Sequence, residues 1–143
     1  MTNRSGTSGA PAGSRRAAYT TDSALPEVTD DMLREALTHA VPYTVVMLKA
    51  GPRYSPPGPE RDGEVAATIL RHGKRNMQLK RAGLMPIICP IADGGDLVGI
   101  GIFDATPDQV EVIYASDPAV RAGIVTFEVH PTTSFPGSAL PRR

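Results

Sequence analysis

One histidine combines a residue type suited to proton transfer with a position that turns it inward. His72 lies in a stretch of helical periodicity, on one face with Val65, Ile69 and Leu79. An imidazole titrates near neutral pH, so a histidine at a cavity is suited to general acid/base catalysis. The spacing alone is more typical of a core histidine held by hydrogen bonds. The adjacent Gly73 costs a helix about 1 kcal/mol relative to alanine, which predicts a close approach of another group.

Asp117 is the carboxylate that such a histidine needs, although it also has a structural use. Asp117 followed by Pro118 is typical of a helix N-cap with proline at the first helical position. Both uses are compatible, because one carboxylate oxygen can accept a backbone N–H while the other holds the imidazole. A carboxylate on one ring nitrogen fixes the tautomer and raises the basicity of the other nitrogen. No serine or cysteine lies in a sharp strand-to-helix turn, so the pair indicates proton transfer rather than acyl transfer.

Three further side chains are candidate ligand contacts. Arg53 and Tyr54 follow the first predicted strand, at the kind of strand-to-loop junction where site residues are common. Arg53 can bind a carboxylate or phenolate bidentately, and Tyr54 can donate a proton. Arg121 lies on the short helix that Asp117 begins. Each has an ordinary alternative, namely a rim arginine, a packed tyrosine and an ion-pair partner.

The sequence gives little support for a metal or cofactor site. His39, His72 and His130 do not have the spacing of metal ligands. The single cysteine, Cys89, fits a small buried hydrophobic residue. One glycine pair in a predicted hairpin turn is too little for a nucleotide-phosphate loop. We therefore expect neither a metal nor a cofactor.

Charge and hydropathy limit the classes of partner. Fifteen lysines and arginines balance 15 aspartates and glutamates, whereas a nucleic-acid-binding protein normally has a net basic field. No apolar run approaches the ~18 residues of a membrane span, and the N-terminus lacks the apolar segment of a signal peptide. The sequence therefore predicts a cytoplasmic protein that binds neither nucleic acid nor membrane.

One face of the predicted long helix is polar and mostly basic. Without aromatic residues to stack bases, this face is weak evidence for nucleic-acid binding. We expect its side chains to face water; they are Arg71, Lys74, Arg75, Gln78 and Arg81.

The elements that must position these residues occur in the order helix, then β-α-β-β-α-β. The predicted domain limits are a disordered tail over residues 1–25, one domain over 26–133 with an additional N-terminal helix over 28–41, and a C-terminal tail over 134–143. Pro42 is expected to stop the N-terminal helix. The predicted strands are 43–50, 84–92, 97–104 and 124–130, and the long helix is 63–82.

This order predicts an α+β fold, a ferredoxin-like βαββαβ plait with two helices on one face of an antiparallel sheet. The second strand lies at the edge of that sheet. Pro86 and Pro90 predict the same position, because their missing N–H groups leave one side of the strand unpaired. The other face of the sheet carries apolar residues that need a cover, and we expect a second copy to provide it in a homodimer.

Several segments together resemble the YCII-related family, which includes muconolactone-isomerase-like proteins. The resemblance covers about residues 43–131 and implies a dimeric α+β barrel with a pocket between sheet and helices. It also implies an acid/base pair at the positions of His72 and Asp117. The most specific segment is Asp-Pro-Ala-Val-Arg-Ala-Gly over 117–123. The others are Gly-Pro-Arg-Tyr at 51–54, His-Gly at 72–73, Ala-Gly at 82–83 and Glu-Val-His-Pro at 128–131.

Residues and resemblance together predict a cofactor-independent acid/base enzyme of the isomerase, lyase or cyclase type. Its substrate would be a small cyclic or aromatic-type metabolite. In this hypothesis His72 moves the proton and Asp117 orients the imidazole, while Arg53 and Tyr54 hold the developing oxyanion. The alternative is a non-catalytic small-molecule-binding or accessory protein with the same pocket. In a third hypothesis, the N-terminal helix binds a protein partner. This helix is absent from the short form of the family.

Overall fold

A computed structural model of the protein describes residues 25–143, so the predicted tail lies almost entirely outside the described residues. The chain separates into two compact units, Met1–Thr38 and His39–Arg143. Helix α1 (Asp30–Thr38) belongs to the first unit. All of the second unit is described, and its elements are β1 (Val41–Ala50), α2 (Gly63–Arg81), β2 (Ile87–Pro90), β3 (Leu97–Phe103), α3 (Pro107–Ala115), α4 (Pro118–Arg121) and β4 (Val125–Ser134).

Helix α1 begins as its sequence predicts but ends earlier. The Thr29 hydroxyl accepts the N–H of Met32 at 3.2 Å, which is an N-cap contact close to the predicted start of the helix. The helix ends at Thr38, so the prediction that Pro42 stops it is wrong. Pro42 lies inside β1, in a part of that strand that pairs with β4 alone, because pairing with β3 starts at Thr44.

The four strands form one antiparallel sheet in the order β2-β3-β1-β4. Together with the helices between them, this is the predicted ferredoxin-like plait. The position of β2 at the edge is confirmed, but its predicted length over residues 84–92 is wrong. The N–H groups of Leu84 and Met85 donate to the Leu79 carbonyl at 3.0 and 3.2 Å. They therefore close the end of α2 and leave only Ile87–Pro90 for the strand.

Strand β4 is longer than predicted. It runs to Ser134 and pairs with β1 along ten residues, whereas the predicted strand ended at His130. Pro131 is tolerated there because β4 is the other edge strand of the sheet. Residues 131–134, which follow the predicted strand, thus belong to the sheet.

Within the second unit, helices α2, α3 and α4 cover one face of the sheet and create the core. Along β1, Thr44, Val46 and Leu48 are buried and alternate with less buried residues, as expected for a strand with one covered face. The buried set that surrounds them comprises Val65, Met85, Phe103, Val110, Tyr114, Ala119, Ile124 and Val125.

The opposite face of the sheet is also apolar at its centre. Val45 pairs with Ile102, and Met47 pairs with Ile100. All four side chains are half-buried and, by strand alternation, face away from α2 and α3. Among the described residues, no helix combines the length and the apolar composition needed to cross a bilayer.

Candidate active site

Helix α2 directs the helical face that contains His72, Val65 and Leu79 toward the interior. Its N-cap is Asp62, whose carboxylate accepts the N–H groups of Glu64 and Val65, and Gly83 with φ +77 follows its end. Within the helix, Val65 and Asn76 are buried, and the His72 side chain is only 13% exposed. The periodicity therefore identified the correct face.

His72 and Asp117 lie in direct contact. The Nδ1 atom of His72 is 2.9 Å from Asp117 Oδ2 and 3.0 Å from Oδ1. The Asp117 side chain is fully buried. A carboxylate at this distance accepts a hydrogen bond from Nδ1–H and holds the proton of a neutral imidazole on that nitrogen.

The same carboxylate begins helix α4. Asp117 Oδ1 accepts the N–H groups of Ala119 at 2.9 Å and Val120 at 3.3 Å. Burial raises the pKa of the Asp117 carboxyl, but the hydrogen bond and charge of His72, with these two N–H groups, outweigh burial and hold its pKa below the usual value. Asp117 is therefore an ionised, rigidly held partner for the imidazole.

The other ring nitrogen of His72 is also occupied. Nε2 lies 3.0 Å from Asn76 Nδ2, and Asn76 Oδ1 accepts the hydroxyl proton of Tyr114 at 3.2 Å. With Nδ1–H donating to Asp117, Nε2 has a free lone pair that accepts the amide N–H of Asn76. The four side chains thus form one chain of hydrogen bonds, from Asp117 through His72 and Asn76 to Tyr114, in which each link pairs one donor with one acceptor.

Tyr114 anchors this chain in the core. It is 1% exposed, and its ring lies 5.8 Å from that of Phe103 in an edge-to-face arrangement. Burial first, and then the negative charge of Asp117, raise the pKa of Tyr114 far above its ordinary value. Its hydroxyl therefore stays protonated and remains a donor.

Arg75 does not face water as predicted. Its NH1 atom is buried without a hydrogen-bond partner in the described part of the chain and lies 3.6 Å from Asp117 Oδ2. That distance is too long for a hydrogen bond but close enough for charge attraction. The buried carboxylate of Asp117 explains why Arg75, which was expected on the solvent-facing side of the helix, turns inward.

A cavity of about 910 Å³ lies between α2 and the β2–β3 side of the sheet. His72, Asn76 and Tyr114 contribute to its lining, while most of the wall is apolar. Such a volume is within the ~300–1,000 Å³ range of ligand pockets. The hydrogen-bonded chain therefore borders a space large enough for a small molecule.

The remaining predicted contacts divide into two groups. Tyr54 lines the cavity and is half-buried. Arg53 is exposed, does not line the cavity, and donates from NH1 to the Ala122 carbonyl at 3.1 Å. Arg121 is exposed and also outside the lining. Ligand contact by these three residues stays a prediction.

Gly73 also lines the cavity, but no protein atom approaches it. A Cβ placed at Gly73 would meet nothing within 4 Å, whereas one at Gly101 would lie 2.7 Å from Met85 Sδ. The close approach predicted beside His72 is therefore not made by the protein. The space next to Gly73 belongs to the cavity.

Sequence reasoning assigned no role to Asn76, Tyr114 or Arg75. Asn76 carried a signal, because it lies four residues after His72 on the same helical face. Tyr114 is 38 residues from Asn76 in the chain, so no local pattern links the two. Among residues 25–143, no group of three histidine, cysteine or acidic side chains is arranged to hold a metal ion.

Comparison with known proteins gives structural likeness only. No protein-family model and no curated protein sequence matches the chain. A solved structure of 5-chloro-2-hydroxyhydroquinone dehydrochlorinase from Burkholderia phenoliruptrix AC1100, in complex with 2,5-dihydroxybenzoquinone, is 18% identical with a TM-score of 0.42, over 62% of this chain and 90% of that one. The methylated RPA0582 protein is 14% identical with a TM-score of 0.36, over 78% and 96%. At these scores neither protein assigns a family or a reaction to this chain.

Proposed function

We propose that the protein is a cofactor-independent acid/base enzyme of the isomerase, lyase or cyclase type, acting on a small cyclic or aromatic-type molecule. The observation that carries this proposal is the contact between His72 Nδ1 and the buried Asp117 carboxylate, 2.9 Å at its shorter distance, at the wall of a cavity of about 910 Å³. Buried carboxylates that orient an imidazole at a cavity are typical of proton-transfer sites.

The working atom in this proposal is His72 Nε2. Asp117 holds the proton on Nδ1, so the lone pair of Nε2 is the base. A substrate C–H or O–H group reaches Nε2 by displacing the amide of Asn76. The imidazolium that forms is stabilised by the ionised Asp117. Return of the proton to another substrate atom completes an isomerisation, and departure of a leaving group completes an elimination.

Negative charge that develops on the substrate needs a donor in the cavity. Tyr54 lines the cavity, and Asn76 can turn its N–H toward a substrate oxygen once Nε2 is engaged. We assign the oxyanion to these two residues ahead of Arg53, whose guanidinium already donates to the Ala122 carbonyl.

Turnover by a His72→Gln variant tests the proposal. Wild type and variant are incubated with phenols, quinones, lactones and ring carboxylates, and substrate isotope exchange or product is followed by NMR. Loss of the base should reduce the rate on a true substrate by about 10²–10⁴-fold. His130→Gln is the matched control, because His130 is exposed and pairs with Glu128 on β4. An undiminished rate in His72→Gln would sink the proposal.

A second candidate function is ligand binding without turnover. It is favoured by the contact between Asn76 and Nε2, because both ring nitrogens of His72 then have partners without any ligand. In this case the imidazole is a structural link between α2 and α4. Ligands bound equally by wild type and His72→Gln, and left chemically unchanged by both, would support this candidate.

We also propose that a second copy covers the open face of the sheet. The half-buried residues Val45, Met47, Ile100 and Ile102 supply an apolar centre for such a contact. Light scattering at micromolar concentration should give twice the mass of the chain, and Ile100→Asp should shift it toward the monomer. Ala67→Asp, at an exposed position of α2 on the helix side of the sheet, is the control. A wild-type monomer would contradict this proposal.

A further inference from the structure

The charged residues that line the cavity are all cationic. They are Arg61, Lys74 and Arg81, and among the described residues the lining contains no aspartate or glutamate. The chain as a whole has equal numbers of acidic and basic residues, 15 of each, so this imbalance is local. A cavity with apolar walls and charges of one sign raises the local concentration of the opposite ion. Its field therefore favours an anion.

The side chains of two of the three cations have no partner among residues 25–143. Arg61 Nε donates to the carbonyls of Ser55 and Pro56 at 2.9 and 3.1 Å, so the loop holds it. Lys74 and Arg81 are exposed, and their side chains make no hydrogen bond or ion pair in the described part of the chain. Their charged groups are free to bind a solute, and an arginine binds a carboxylate or sulfonate through two parallel hydrogen bonds.

Helix geometry places these cations opposite the imidazole. At 3.6 residues per turn, Lys74 and Arg81 lie within about 20° of each other around α2, while His72 and Arg81 lie about 180° apart. Gly73 falls between the two edges. The cavity therefore extends around one side of α2, from the hydrogen-bonded chain at His72, which we call the inner edge, to Lys74 and Arg81, the outer edge.

Gly73 keeps the path between the edges open. A glycine inside a helix costs about 1 kcal/mol relative to alanine. The protein gains no packing contact in return, because nothing lies within 4 Å of the position where a Cβ would stand. The free space is part of the cavity. A ligand body that crosses from the inner to the outer edge would use this space.

We infer that the cavity binds an extended apolar anion, with its charged group at Lys74 and Arg81 and its apolar body across Gly73 toward His72. The inference rests on the proposed function only in taking His72 as the end where reaction occurs. The volume of about 910 Å³ lies near the upper end of the ~300–1,000 Å³ range, so it has room for more than a single ring. The ligand class is thus an organic carboxylate or similar anion with a sizeable apolar frame.

A matched pair of fluorescent dyes tests the ligand class without knowledge of the substrate. Anilinonaphthalenesulfonate is an apolar anion, and phenylnaphthylamine is the same frame without the sulfonate. Both are titrated into folded wild type, the double variant Lys74→Gln/Arg81→Gln and the control Lys80→Gln. Lys80 is exposed on the same helix and does not line the cavity. Circular dichroism and urea midpoints must match, because the anionic dye also binds loosely packed states.

The expected result is a selective loss of anion affinity. Two solvent-exposed charge contacts are together worth about tenfold in affinity. The double variant should therefore bind the sulfonate dye about tenfold more weakly and the neutral dye unchanged, while Lys80→Gln matches wild type for both. Gly73→Leu should weaken both dyes, because its side chain enters the shared path. Equal affinity of the sulfonate dye for wild type and the double variant would overturn the inference.

Failure of this inference is distinguishable from failure of the proposed function. Dye binding does not require proton transfer, so His72→Gln should retain the preference for the anion. If the protein prefers the anionic dye but shows no turnover that depends on His72, the binding inference is supported and the proposed enzyme function is contradicted. If turnover depends on His72 but the anionic dye is not preferred, the proposed enzyme function is supported and the binding inference is contradicted.

Discussion

The inner and outer edges of the cavity differ in how completely their polar groups are satisfied. At the inner edge, both ring nitrogens of His72 have partners, and the Asn76 amide links the ring to the Tyr114 hydroxyl. At the outer edge, Lys74 and Arg81 have no partner in the described residues. The difference follows from burial. Unpaired polar groups are costly inside a protein and nearly free of cost at its surface.

This contrast suggests a division of tasks. The inner edge is fixed by folding, so its geometry is present before any ligand arrives, as proton transfer requires. The outer edge has unused charge, which is suited to attracting and holding a ligand. Substitutions at the inner edge should therefore affect stability strongly, whereas changes toward the outer edge should mainly affect binding.

Asp117→Ala should have the largest effect. The substitution removes the acceptor for His72, the N-cap of α4 and the counter-charge beside Arg75. Loss of one partner in such a buried network costs about 3–5 kcal/mol of unfolding free energy, measurable by urea denaturation. The control is Glu128→Ala, which removes an exposed carboxylate paired with Lys49 and His130. Equal losses in the two variants would remove the distinction between a buried and an exposed network.

Tyr114→Phe tests the far end of the inner chain. The substitution preserves the ring packing but leaves Asn76 Oδ1 without its donor, which should cost about 1–3 kcal/mol. Tyr43→Phe is the control, because the hydroxyl of the half-buried Tyr43 makes no hydrogen bond in the described residues. Unfolding free energies that are the same for both variants would show that the Tyr114 hydroxyl is not part of the chain.

Two glycines that line the cavity should respond to alanine with opposite signs. At Gly101 the new Cβ meets Met85 Sδ at 2.7 Å and Val46 Cγ1 at 3.1 Å, so overpacking should lower the unfolding free energy by about 1–3 kcal/mol. At Gly73 nothing lies within 4 Å, so higher helix propensity should raise it by up to about 1 kcal/mol. Destabilisation by Gly73→Ala would mean that the space beside it is not free.

The unfolding free energy should also depend on Asp117 at acid pH, with a smaller effect. Its pKa is lowered in the folded state, so the unfolded chain binds a proton more readily. This stabilisation is present above the unfolded pKa of about 3.9 and is lost as pH falls through the folded pKa. Between pH 6 and pH 3 the wild type should therefore lose more unfolding free energy than Asp117→Asn. Parallel pH profiles would contradict the lowered pKa.

The sequence specified the elements of the site better than their contacts. Periodicity identified the inward face of α2, and Asp117 is the predicted N-cap of α4, because both signals act within a few residues. Leu84 was assigned to β2, yet its N–H completes the end of α2. Competition of this kind between two elements for one donor is not visible in a local pattern.

The side chains that complete the site depend on distant neighbours. Arg75 was assigned to water on the strength of its charge, and only the buried carboxylate of Asp117 makes the inward position favourable. Tyr114 is bound to Asn76 across 38 residues of chain. An unspecified group was expected to approach Gly73 closely, and only the assembled cavity shows that the space beside it is open. These contacts arise from the packing of α2 against α3 and α4. Local patterns in a single sequence do not predict that packing.

Nitrogen NMR of the His72 ring tests the central claim most directly. The neutral form of an imidazole has a single ring proton. The hydrogen-bonded chain predicts that this proton is on Nδ1, facing Asp117, and that Nε2 is unprotonated and available as the base. His130 in the same spectrum is the exposed reference. A proton on Nε2 of His72 would contradict the account, because neither Asp117 nor Asn76 would then hold the ring as the structure describes.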